Sequence, residues 1–276
     1  MTINCKGNLI DLTTAKVMGI LNITPNSFYD GGKYRTEAEI LYQAEVMLDE
    51  GATFIDVGAY SSKPNAEFVS ELEELERIVP VINLLLKQFP EAIVSIDTFR
   101  SEVAKAAIEN GAALINDISA GNLDERMMET IAHYKVPYVM MHMRGNPETM
   151  QSLTHYSNII KEMILYFSEK VAKARSLGIN DLILDPGFGF AKTIEQNYEV
   201  LQKLELFQML ELPILAGVSR KSMIYKLLNI NAQEALNGTI VLNTVALTKG
   251  AAILRVHDVK EAMECVTLFN KIHLSK

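Results

Sequence analysis

The stretch VMGILNITPNSFYDGGKYRTEAEILYQAEVMLDEG, residues 17–51, decides the fold. It opens on an apolar run, VMGILNI, of the length and composition of a buried strand. It then enters a polar loop. There Pro25 forbids a continuing strand, and Gly31-Gly32 permit turns that most residues resist. From Glu37 the apolar residues recur at helical spacing, and the run ends at Gly51, as helices often do. Strand, loop and helix together are half of a parallel crossover. The loop holds more than a turn needs, since Asn22, Thr24, Asn26 and Ser27 surround Phe28 and Tyr29.

The unit repeats. After VMGILNI come FIDVGAY (54–60), IVSIDT (93–98), ALINDIS (113–119), PYVMMHM (137–143), LILDPG (182–187), PILAGVS (213–219) and ILRVHD (253–258). Amphipathic stretches with helical spacing separate them, among them SEVAKAAIENG and SNIIKEMILYFSEKVAKARSLG. Strand–helix repetition with short connections predicts parallel strands joined by right-handed crossovers. Eight such units predict an α/β chain closed as a (β/α)8 TIM barrel. An open doubly wound sheet would carry an early glycine fingerprint, which is absent. Ahead of the pattern, INCKGNLIDL (3–12) predicts a short N-terminal hairpin turning at Lys6-Gly7-Asn8 and closing the barrel floor. With no linker or low-complexity segment, residues 1–276 read as a single domain. The longest connection after a strand, RGNPETMQSLTHY (144–156), is polar and is expected to be mobile.

Composition narrows the function. The chain is 49% hydrophobic and 22% charged, as soluble globular proteins are. A net charge of −8 argues against nucleic-acid binding, which wants a basic face. The two cysteines, Cys5 and Cys265, have no metal-like spacing and suit a reducing cytoplasm. No apolar run approaches the ~20 residues of a membrane span, and MTINCKGNLIDL has no leader character.

In a (β/α)8 barrel the active site lies at the C-terminal ends of the strands. Here nearly every strand ends in a hydrogen-bonding group: Asn22 and Thr24; Asp56, Tyr60, Ser61, Ser62 and Lys63; Asp97, Thr98 and Arg100; Asn116 and Asp117; His142 and Arg144; Asp185; Ser219, Arg220, Lys221 and Ser222; Arg255, His257 and Asp258. Burying such groups without partners costs about 1–3 kcal/mol each. Several also have plainer readings. Asp97 is placed to cap the following helix, Asn116 to tie down a loop, and Asp185 to start a turn. His142, in a methionine-rich run, reads as an interior histidine and Asp117 as structural. Lys221 is harder to dismiss. With Arg220, Arg255 and His257 it makes a positive region in an acidic protein, suited to a phosphate or pyrophosphate. Asp97, Asn116 and Asp185 suit a heterocycle edge rich in N–H donors, such as an aminopyrimidinone, with Lys221 donating to a ring carbonyl. No Ser-His-Asp order and no cysteine at a strand end offers a nucleophile.

The motifs MGILNITPNSFYDGG (18–32), SIDT (95–98), IND (115–117), LDPGFGF (184–190), GVSRKS (217–222) and RVHD (255–258) together resemble the dihydropteroate synthase family, in its order and spacing over essentially the whole chain. The resemblance implies a (β/α)8 barrel. It also implies a transferase that joins 6-hydroxymethyl-7,8-dihydropterin pyrophosphate to p-aminobenzoate in folate biosynthesis, the step that sulfonamides target. By motif match Asp97, Asn116, Asp185 and Lys221 hold the pterin, and Arg255 and His257 hold pyrophosphate. By the same match Asn22 would bind Mg2+, and Ser222 would receive the p-aminobenzoate carboxylate. The resemblance also implies that Phe190, Pro64, Lys221 and Phe28 line the aminobenzoate pocket beside Ser62, and that Asp97, Asp185, Lys221 and Lys63 are the catalytic set. A homodimer through the helices at 233–249 and 259–273 is also implied. Two rivals share the pterin-holding residues: a pterin-barrel methyltransferase serving a corrinoid protein, and a non-catalytic pterin-binding paralogue. GVSRKS with RVHD, which provides for pyrophosphate and carboxylate, argues against the first.

The two loops depart from the family pattern, where TPDSF and S-T-R-P-G are common. Asn26 replaces an acid, Lys63 an arginine, Ser62 a threonine and Asn65 a glycine. Ser62 keeps the hydroxyl, Lys63 keeps the charge without the planar fork, and Asn65 tolerates positive φ better than most residues. A neutral Asn26–Lys63 contact then replaces an ion pair, and the rest of the cage is expected to retain activity.

Overall fold

The computed structural model describes residues 1–23, 36–60 and 69–273. The candidate residues Phe28, Ser62, Lys63 and Pro64, with Asn26 and Asn65, lie outside the described residues.

The chain starts with an antiparallel pair, β1 (Thr2–Cys5) and β2 (Asn8–Asp11), in which Cys5 faces Asn8. The two-residue turn is Lys6-Gly7, both at positive φ, as a type I′ hairpin requires. Eight parallel strands follow: β3 (Lys16–Asn22), β4 (Phe54–Gly58), β5 (Ile93–Asp97), β6 (Leu114–Asp117), β7 (Tyr138–Met141), β8 (Leu182–Asp185), β9 (Ile214–Ala216) and β10 (Ala251–Val256). They pair in chain order, and β10 returns to β3, so the sheet closes. The crossovers carry α1 (Glu37–Asp49), α2 (Glu71–Gln88), α3 (Ser101–Glu109), α4 (Met127–Tyr134), α5 (Ile159–Ser176), α6 (Ile194–Gln202), then α7 (Ser222–Leu228) and α8 (Leu236–Thr248); α9 (Val259–His273) ends the described chain. Side-chain caps start several helices. Thr36 and Thr193 form capping boxes with Glu39 and Gln196, while Ser70 and Asn158 accept from the first turns of α2 and α5. None of the described helices is long and apolar enough to cross a membrane.

Strand alternation divides the barrel interior into layers. Met18, Phe54, Leu114, Val139, Ile183, Leu215 and Ile253, one from each of seven strands, form a buried apolar layer, and Ile93 of β5 packs against it. Ile3, Cys5 and Leu12 join the same cluster, so the hairpin plugs the floor as expected. Both cysteines are buried and unpaired. Two residues further along, the same face turns polar on five strands, with Asp56, Ser95, Asn116, Asp185 and Arg255. An apolar floor therefore supports a polar ceiling.

The connection after β7, expected to be mobile, is held in a compact form. Thr154 O accepts from Gln196 Nε2 at 2.8 Å, Tyr156 Oη donates to Ala191 O at 2.9 Å, and the Arg144 guanidinium lies 3.7 Å from the Tyr156 ring centroid.

Phe54 is fully buried at the centre of the floor. Phe54→Ala is expected to lower unfolding stability by about 3–5 kcal/mol in urea denaturation. A loss under about 1 kcal/mol would mean that the floor collapses around the cavity.

Candidate active site

Register explains how distant residues meet. Gly58 pairs with Asp97 and Asn22 across adjacent strands, and Asp97 pairs with Asn116. Gly58 has no side chain to fill the space between its neighbours. A Cβ there would lie 3.7 Å from Asn22 Oδ1 and 3.8 Å from Asp97 Oδ2. Gly217 does the same across the barrel, where a Cβ would lie 3.7 Å from Lys221 Nζ and 4.0 Å from Arg255 Cβ. The glycines keep the centre open while the charged groups converge on it.

Arg255 organises the cage. Its Nε donates to Asp56 Oδ2 and its Nη2 to Asp97 Oδ2, each at 2.6 Å. Asp56, fully buried, also accepts from Ser95 Oγ at 2.6 Å and Asn116 Nδ2 at 3.0 Å. Burial pushes the Asp97 carboxyl up from the ordinary carboxylate range. Arg255 pulls it back, and Asp56 adds a further upward push. Burial raises Asp185 too, against the pull of Lys221 and the Gly187 N–H, which donates to Asp185 Oδ1 at 2.7 Å. The Lys221 ammonium donates to Phe188 O and lies 5.2 Å from the Phe190 ring centroid. Burial brings its pKa down to about 8, with Asp185 opposing the fall.

The structure thus brings Asp97, Asn116, Asp185, Lys221 and Arg255 to one end of the barrel, with Asn22 across Gly58 from Asp97, Phe190 beside Lys221, and Ser222 as the first residue of α7. His257 stands exposed at the mouth, just beyond β10. Asp97 does not cap α3; its N-cap is Arg100, and the Ser101 N–H is taken by Asp124. Asp117 points away from the cage and accepts from the Ser119 N–H and hydroxyl, the Gly121 N–H and Tyr138 Oη, a structural role. His142 is buried edge-on to Tyr166, as an interior histidine.

Two expectations change. Arg220 does not add charge to the positive region. Asp258 takes its guanidinium in a bidentate pair, at 2.8 and 2.7 Å, and the Ala232 and Gln233 carbonyls accept from Nη1. A Ser–His contact also exists where residue order offered none. Ser219 Oγ lies 3.0 Å from His257 Nδ1 and accepts the His257 main-chain N–H at 3.2 Å. Ser219 is buried, so this contact orients the imidazole. Asp56 was visible only as one polar strand end among many. Its inward phase, two residues after Phe54, is the signal that marks it.

Chemically, the arrangement offers carboxylates and an amide for a donor-rich heterocycle, cations for an anion, and an aromatic face beside a lysine. A model of the family described as "Pterin binding enzyme" matches residues 18–257. The dihydropteroate synthase of Escherichia coli K12 is 42% identical over 268 residues, 96% of this chain and 94% of that one. That of Synechocystis is 46% identical over 250 residues, 90% and 86% of the two chains. The chain belongs to the dihydropteroate synthase family. Among solved members, the Yersinia pestis synthase in a sulfonamide drug complex superposes with a TM-score of 0.95 at 39% identity, both chains covered completely. The Xanthomonas albilineans synthase with 4-aminobenzoic acid gives 0.92 at 34% identity over 100% and 99% of the chains. The family is one of transferases, and these names fall on the synthase side of the alternatives rather than the methyltransferase side.

Arg255 neutralises two carboxylates in a desolvated place, so its removal should be pH-dependent. Without it the folded-state pKa of Asp97 rises further, and the folded state holds a proton that the unfolded chain releases. Stability then falls as pH rises. Arg255→Met is expected to cost about 3–5 kcal/mol at neutral pH, and less as pH drops through the carboxylate range, by urea denaturation at a series of pH values. An equal cost at every pH would contradict this electrostatic role.

Proposed function

We propose that the protein condenses 6-hydroxymethyl-7,8-dihydropterin pyrophosphate with p-aminobenzoate to give 7,8-dihydropteroate and pyrophosphate. The observation that carries this reading is the convergence of Asp97, Asn116 and Asp185 with Lys221 and Arg255 at one end of the barrel. Membership of the synthase family supports it. Asp97, Asn116 and Asp185 take the N–H edge of the pterin. Lys221, mostly ammonium at neutral pH, donates to the ring carbonyl. Arg255, held by Asp56 and Asp97, turns its remaining N–H donors to pyrophosphate oxygens, and His257 meets them at the mouth. Phe190 and Lys221, with Pro64, Phe28 and Ser62, hold the aminobenzoate ring, and Ser222 donates to its carboxylate. Lys63 adds a cation from the second loop.

The donor set fits magnesium. Among the described residues no group of three or more His, Cys, Asp or Glu stands ready for a metal. Mg2+ characteristically takes one or two protein oxygens and completes its shell with water and substrate phosphates. The Asn22 amide oxygen, across Gly58 from Asp97, suits that pattern. When bound there, the ion supplies positive charge to the departing phosphate oxygens.

The bond that breaks joins the pterin methylene carbon to the pyrophosphate oxygen, and its electron pair leaves with pyrophosphate. Arg255 and His257 stabilise that charge. The electron-rich dihydropterin supports a cationic methylene, and Asp97 and Asp185 favour it electrostatically. The arylamine nitrogen then forms the new C–N bond and gives its proton to the departed pyrophosphate or to solvent. No protein nucleophile is required.

The acidic composition and the two buried thiols support a cytoplasmic setting. Val241 of α8 and Leu268 and Ile272 of α9, all exposed, support a homodimer through these helices.

The test is a coupled assay for pyrophosphate with both substrates and Mg2+. The expected result is pyrophosphate and dihydropteroate in equal amounts, with Asn22→Ala raising the Mg2+ concentration needed for half-maximal rate about tenfold. Pterin binding without pyrophosphate release would instead identify a non-catalytic paralogue.

A further inference from the structure

Lys192 is a buried cation that the chemistry above does not use; only 4% of it is exposed. Its ammonium has three protons and three acceptors: Gly187 O at 3.0 Å, Phe190 O at 3.0 Å and His142 Nδ1 at 3.1 Å. Both carbonyls belong to the turn between β8 and α6, which starts at Asp185 and carries Phe190. The same turn is held from the site side by Lys221, which donates to Phe188 O. Asn197 takes the Gly189 N–H at 2.7 Å. At Gly187 the turn also passes tightly over β7, where a Cβ would come within 2.3 Å of His142 O. Two lysines therefore grip one short turn from opposite sides, one facing the site and one beneath it.

We propose that Lys192 is a positioning residue for the arylamine substrate: by holding the Gly187 and Phe190 carbonyls against His142, it sets the Phe190 ring opposite Lys221. This rests on the aminobenzoate reading of the Phe190–Lys221 face. Burial explains why so costly a group is informative. Desolvation brings the Lys192 pKa down to about 7 and pushes that of His142 well below its ordinary value, so the imidazole is neutral and its Nδ1 is available to the lysine. A lysine buried at that cost, where an apolar chain would pack, points to a task for its three polar contacts.

The test is a double-mutant cycle on the full-length protein with Lys192→Met, Phe190→Ala and the pair. Lys192→Met is expected to raise KM for p-aminobenzoate about tenfold with kcat within about threefold, and to leave pterin affinity by calorimetry within about twofold. In the Phe190→Ala background the same change should raise KM less than about twofold, because the effect passes through that ring. Lys192→Arg keeps the charge without the three-way geometry, and serves if the methionine variant does not fold. It should raise KM about threefold with the same non-additivity. Amide exchange at residues 187–190 should quicken in either variant while that of α6 stays unchanged. This readout is independent of turnover, so an inactive wild type would count against the proposed reaction alone. Unchanged exchange in the turn, an unchanged KM, additive effects, or equal loss of pterin affinity would overturn the role of Lys192.

Discussion

A guanidinium between two carboxylates is the constraint on which this barrel depends. Arg255 joins Asp56 to Asp97, and so ties β10 to β4 and β5 across the mouth of the barrel. Asp56 cannot stand alone in that place. It is fully buried, and Ser95, Asn116 and Arg255 supply its partners. Buried ion pairs of this kind contribute little net stability, because desolvation offsets most of the attraction, but breaking one is severe. The arrangement is better understood as stored readiness. A cation kept beside carboxylates at the open end of the barrel is in place before any ligand arrives.

The floor makes that possible. One apolar layer, drawn from the first inward positions of the strands and sealed by the hairpin, lifts the polar layer to the open end. The two layers differ by one step of strand alternation, so Phe54 and Asp56, Ile93 and Ser95, Leu114 and Asn116, Ile183 and Asp185, Ile253 and Arg255 are the same design written five times. Glycine at positions 58 and 217 then leaves the room into which Asn22, Asp97, Lys221 and Arg255 converge.

Much of this was legible in the sequence because it is local. Eight β-branched runs announced eight strands, and Lys6-Gly7 announced the hairpin. The strand-end rule for barrels turned scattered polar residues into one site. What was not legible depends on partners distant in the chain. Arg220 reads in sequence as part of a cationic region, but Asp258, 38 residues away, holds it. Ser219 and His257 are as far apart and meet only through β9–β10 pairing. Asp56 and Lys192 carry no motif of their own. The first is defined by its inward phase, and the second by two carbonyls and an imidazole that no pattern encodes.

The central claim is that the site works by electrostatic ionisation of the pterin methylene, with no bond to the protein. Positional isotope exchange tests it most directly. Pterin pyrophosphate labelled with oxygen-18 at the bridging C–O–P position is incubated with the protein and Mg2+ before p-aminobenzoate is added. Label is expected to move to non-bridging positions, because the freed pyrophosphate rotates and recombines with the cation. Label that stays in place while the same protein makes dihydropteroate on addition of the amine, or a pterin adduct on the protein by mass spectrometry, would contradict it.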